Sequence, residues 1–110
     1  MYSIIDNDIV LTRGDSLYCD VEIYRDDEPY EPVETDKIRF AVKKRFKDPD
    51  DQVLIVKNIP YNNLILHLDP EDTKPLKMNK TYVYDVQLTN EFGDIDTFIK
   101  GTLTLTEEVI

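Results

Sequence analysis

The sequence is poor in the residues on which most site chemistry is built. It has one cysteine (Cys19), one histidine (His67), no tryptophan and three glycines in 110 residues. A single cysteine forms no intrachain disulfide, and the simple inference is a reducing compartment. Neither Cys19 nor His67 has a ligand at zinc spacing, and the two fall on opposite kinds of strand face, so neither a metal centre nor a nucleophile–histidine pair is expected. Three glycines leave little room for a phosphate cradle. No run approaches the ~18 apolar residues of a membrane span. The opening Met1-Tyr2-Ser3-Ile4-Ile5-Asp6 lacks the basic flank and apolar core of a secretory leader. Positive charge is also scarce: 13 Lys plus Arg stand against 23 Asp plus Glu, a formal net charge of −10. That field repels nucleic acid and anionic membrane surfaces, so neither is expected as a partner.

What is present is a packed globule. The hydrophobic fraction is 41%, with seven Tyr and four Phe. A disordered chain has few such residues. The length is that of one domain, residues 1–110, which buries roughly 60–70% of its unfolded surface.

The dominant period is two. Leu17, Cys19, Val21 and Ile23 fall on one face, with Tyr18, Asp20 and Glu22 on the other. Ile38, Phe40 and Val42 repeat the pattern, as do Leu64, Leu66 and Leu68. So do Tyr82, Tyr84, Val86 and Leu88, and the series Ile95, Thr97, Ile99, Gly101, Leu103 and Leu105. With the β-prone segments 9–12 and 53–57, this makes about seven strands. Their parity predicts a core of Leu17, Val21, Ile23, Phe40, Val42, Leu66, Val86 and Leu88, with Cys19 as an inert core thiol. The separators carry turn chemistry, notably Arg13-Gly14-Asp15, Asp26-Asp27-Glu28-Pro29 and Asn90-Glu91-Phe92-Gly93-Asp94. One segment breaks the period: Asp69 is a helix cap, Pro70 fits the first helical position, Asp72 stands three after the cap, and Pro75 stops the helix early. The expected fold is all-β, a sandwich or barrel of about seven strands with one short helical turn.

No catalytic, cofactor-binding or metal residue is singled out, and the chain reads as a non-enzyme. His67 reads as a surface strand residue. The acidic turns read as solvated charges, with calcium left open at one end of the sandwich. Tyr18, Tyr24, Tyr30 and Tyr61 form a candidate exposed aromatic cluster. The basic run Lys43, Lys44, Arg45 and Lys47 is the candidate interface. It either meets an acidic patch on a neighbouring molecule or guards an edge strand.

Two family resemblances follow from quoted residues. Cys19 on the second strand and Tyr82 two residues before Tyr84 resemble an immunoglobulin-like sandwich with a tyrosine corner, which implies an all-β, immunoglobulin-like β-sandwich of about seven antiparallel strands with one short helical turn. Tyr84 stands in the slot of the second cysteine, and Phe40 where antibody domains have tryptophan. The corner implies that the Tyr82 hydroxyl bonds backbone near residues 69–73. More specifically, Val10-Leu11-Thr12-Arg13-Gly14-Asp15-Ser16-Leu17 resembles the opening of small phage virion domains, such as the N-terminal domain of baseplate upper proteins. The likeness continues in Ile38-Arg39-Phe40-Ala41-Val42-Lys43-Lys44 and Leu68-Asp69-Pro70-Glu71-Asp72-Thr73. It extends to Tyr82-Val83-Tyr84-Asp85-Val86-Gln87-Leu88 and Ile99-Lys100-Gly101-Thr102-Leu103-Thr104-Leu105. With the sequence ending at Ile110, the fibre part of that family is not expected here. The resemblance implies a virion structural or assembly protein of the baseplate, tail, neck or head, assembled in the host cytoplasm. Its partners would be other virion proteins or copies of itself as a homo-oligomer. The other reading is a monomeric immunoglobulin-like module that binds a sugar or a protein.

Overall fold

The computed structural model describes residues 2–107. The period-two segments form strands, as alternation with one buried face requires. In chain order these are β1 (Tyr2–Ile5), β2 (Asp8–Thr12), β3 (Leu17–Asp20), β4 (Tyr24–Arg25), β5 (Glu28–Pro29), β6 (Lys37–Lys43), β7 (Ile55–Ile59) and β8 (Ile65–Leu68). A single helical turn, α1 (Pro70–Thr73), precedes β9 (Lys80–Thr89) and β10 (Ile95–Thr106). The protein is an all-β sandwich. Its large sheet has the order β1-β2-β10-β9-β6-β7, and β3-β8 form a separate two-stranded sheet. Between the two lies the core, which contains all eight residues predicted from parity.

β3 and β8 make one layer, and β6, β9 and β10 make the centre of the other. Among the described residues no further strand flanks β3 or β8 in the small sheet.

Four expectations are corrected. First, the sandwich is not wholly antiparallel: β10 pairs β2 in parallel, Leu103 with Ile9 and Leu105 with Leu11. The two strands lie at opposite ends of the chain, so no tight hairpin forces them antiparallel. Second, residues 2–5 form an additional strand, paired with β2 across the turn at Asp6-Asn7. Third, β3 stops at Asp20 and β7 begins at Ile55, although Val21 and Ile23 remain buried. Fourth, β10 does not keep one parity. Its register with β9 shifts between Thr97 and Ile99. The extra residue, Phe98, turns Ile95 and Thr97 away from the face shared by Ile99, Leu103 and Leu105, as a bulge does.

Two tyrosines of β9 are buried, and their hydroxyls are satisfied differently. The Tyr82 hydroxyl accepts the Lys77 backbone N–H at 3.0 Å. The tyrosine-corner geometry is thus present, but its partner is Lys77 rather than residues 69–73. Pro75 ends the helical turn, and the following loop brings the Lys77 N–H to the hydroxyl. Tyr84 donates to the Asn7 carbonyl at 2.7 Å and so ties the β1–β2 turn to the core. Burial, then the negative fields of Cys19 and Asp8, push its hydroxyl up to about 12.

Candidate functional site

The Arg13-Gly14-Asp15 turn is built into the fold. Gly14 has φ 87°, a left-handed conformation suited to glycine, and its N–H donates to the buried Thr73 hydroxyl at 2.8 Å. The Arg13 Nε donates to the Leu76 carbonyl at 2.8 Å, and its Nη2 bonds the Lys74 carbonyl. One turn therefore holds the helical segment 59 residues further along the chain. That segment is shaped as expected: Asp69 precedes Pro70, and the Asp72 carboxylate accepts the Asp69 N–H at 2.7 Å. Lys57 of β7 lies 2.8 Å from Asp72 and 3.5 Å from Asp69. The hydrogen bond to Asp72 holds the Lys57 ammonium above its usual pKa.

The basic run divides. Lys43 donates to the Asp48 carbonyl at 3.0 Å and to the Asp50 carboxylate at 2.8 Å. The same contact keeps the Asp50 carboxyl below its ordinary value. Arg45 pairs with Asp48 at 3.4 Å. The acidic turn that would complement this run is thus met within the chain. Lys44 and Lys47 are exposed, and Phe46 lies under Lys100 at 5.9 Å.

The tyrosines do not form one cluster. Tyr18 stacks on His67 with ring centroids 4.1 Å apart, Tyr24 donates to Glu22, and Tyr30 donates to Asp36 beneath Arg25. Tyr61 lines a shallow hollow with Glu31, Pro32 and Leu64. His67 is on the outer face of the small sheet, 3.1 Å from Asp69, as a surface residue. The acidic turns have a conformational role: Asp6, Asp26 and Asp27 hold φ between 50° and 64°, which aspartate tolerates better than most residues. Among the described residues no three His, Cys, Asp or Glu side chains converge as a metal group.

The surface that sequence reasoning missed lies beside β3. A cleft of about 450 Å³ opens between the β1–β2 turn, β3 and the bulge of β10. Its apolar walls include Ile9, Phe40, Leu66, Val86, Phe98 and Ile99. The polar rim is acidic, with Asp6, Asp20 and Glu22 and no basic residue. Cys19 lies on this wall rather than in the closed core, and burial with the Asp20 charge raises its thiol pKa. A signal was available in the sequence: Tyr2 and Ile4 alternate with Ser3 ahead of an Asp-Asn turn.

No family model matches the chain, and no curated protein matches it.

Proposed function

We propose that the chain is a structural and assembly protein of a phage or prophage virion, acting through protein–protein contacts rather than catalysis. The observation that carries the reading is the position of its exposed apolar side chains. Tyr2, Ile4 and Ile5 on β1 and Val56 on β7 are exposed, and β1 and β7 are the two edges of the large sheet. A solitary sandwich blunts its edges with charge or covers them. The ordered virion-like motifs add to this, since Arg13-Gly14 and Thr73, from two of them, touch each other. A role in the virion, with other virion proteins or copies of itself as neighbours, follows from that likeness.

Sedimentation at increasing salt tests the self-association form of the reading. A charge of −10 opposes contact between copies, and salt screens it over about 8–10 Å. Association through apolar edges should strengthen from low to moderate salt. Association that weakens with salt and is lost in Lys44→Glu would place the contact on the basic run instead. A strict monomer at every salt and at high concentration excludes self-assembly and confines the proposal to docking on another virion protein.

A further inference from the structure

The small sheet is one strand short on the side of the cleft. Among the described residues β3 pairs only with β8, and its other edge carries no strand. The Val21 N–H donates to the Leu64 carbonyl at 2.9 Å. Because hydrogen bonding alternates along an antiparallel ladder, Leu17, Cys19 and Val21 bond toward β8, while Tyr18 and Asp20 turn their N–H and C=O outward. Their present partners agree with this. Among the described residues, the Tyr18 carbonyl accepts the Tyr2 hydroxyl at 2.9 Å, and the Asp20 carbonyl the Cys19 thiol at 3.4 Å.

The opposite layer extends past this edge. Tyr2 and Ile4 pair with Leu11 and Ile9, so they lie on the core-facing side of the large sheet. Leu11 and Ile9 are buried, yet Tyr2 is 44% and Ile4 38% exposed. Among the described residues no strand of the small sheet lies over them. Free edge, uncovered core face and apolar cleft thus coincide where the sandwich would take one more strand.

We propose that this strip receives an extended segment of a partner protein, added as a strand to β3, with apolar residues alternating with Lys or Arg. Strand addition uses main-chain bonds for affinity and side-chain pockets for selection. Here the outward groups of Tyr18 and Asp20 supply the bonds. Alternate apolar side chains of the guest enter the cleft against Phe40, Leu66, Val86 and Phe98. Its basic residues meet Asp6, Asp20 and Glu22, the charged residues that line the cleft, while Arg25 beside Phe98 is paired with Asp96. The inference rests on the assembly reading for the kind of occupant, a protein segment. The site itself rests on geometry alone.

The test uses a synthetic octapeptide alternating valine and lysine, with two controls: valine alternating with glutamate, and the valine–lysine peptide N-methylated at alternate residues. The methylated peptide keeps charge and apolar surface but loses the donors on one edge. The expected result is saturable binding of the first peptide, slowed hydrogen exchange of the Tyr18 and Asp20 amides, and slowed alkylation of Cys19. Both controls should bind at least about tenfold more weakly. Tyr2→Phe, which frees the Tyr18 carbonyl, should tighten binding about two- to tenfold. Equal binding by the methylated peptide, or binding without protection at Tyr18 and Asp20, overturns the proposal. Association of the protein with itself while these amides still exchange freely leaves the assembly reading standing and removes strand addition. A protein monomeric at every salt that still takes the peptide on β3 does the reverse for self-assembly.

Discussion

The two ends of the sandwich use the same alternating strands to different effect. At the end where β2 finishes, Leu11, Leu17, Leu68 and Leu105 are fully buried, and the Arg13 clamp and Thr73 close the layer above them. At the end where β2 begins, Ile4 is exposed, Cys19, Phe98 and Ile99 are half-buried, and a cleft reaches Phe40. The first end meets every demand of a core from within the chain. The second leaves a free backbone edge beside an apolar wall. A core is completed by layers, not by hydrophobic residues alone, and the small sheet lacks a strand where the large one continues.

The largest expected effect separates the ends directly. Leu68→Ala removes a fully buried side chain at the closed end and should cost roughly 2–5 kcal/mol in urea unfolding, whereas Ile4→Ala at the open end should cost under about 1 kcal/mol. Similar costs at both sites would erase the contrast. Next is Gly101→Ala. A Cβ there would stand 1.9 Å from the Asn7 carbonyl oxygen, so the β1–β2 turn must move. The loss should be about 1–3 kcal/mol, and the amides that pair β1 with β2 should lose exchange protection. Unchanged stability with unchanged exchange would show that the turn does not rest on Gly101.

Tyr84 gives an effect of comparable size at high pH. The folded protein holds its proton up to about pH 12, whereas the unfolded chain releases it near the ordinary tyrosine value of about 10. Its contribution is therefore fully present below about pH 10 and is lost as pH rises toward 12, by about 2–3 kcal/mol in all. Tyr84→Phe should flatten that part of the pH–stability curve. Curves that stay parallel through this range would place the alkaline loss elsewhere. The smallest effect is at the corner: Tyr82→Phe leaves the Lys77 N–H without its acceptor and should cost about 0.5–1.5 kcal/mol. No change in midpoint would mean that water replaces the hydroxyl.

The core was legible because strand parity and burial are the same fact seen twice. The helical turn was legible because Asp69, Pro70 and Asp72 act locally. The flip of Ile95 and Thr97 was not, since a bulge is set by pairing with β9, and alternation in one strand is blind to its partner. The basic run was legible as charge but not as a contact, because Asp48 and Asp50 turn back on Lys43 and Arg45 only once the loop folds. The cleft was least legible. Strand β1 is short, and its uncovered face depends on where the other layer stops.

The sequence by itself determined an all-β chain, its buried parity, the helical turn and a net charge of −10. Those properties follow from neighbours two to four residues apart and from summed charge. Tertiary structure alone decided that β2 and β10 run parallel and that Arg13-Gly14 grips the segment after β8. It also decided that Tyr84 holds the β1–β2 turn and that β3 keeps an open edge. Each of these joins parts distant in the chain, where the layer that covers a residue, and not the residue's own pattern, sets what is buried and what remains free to bind.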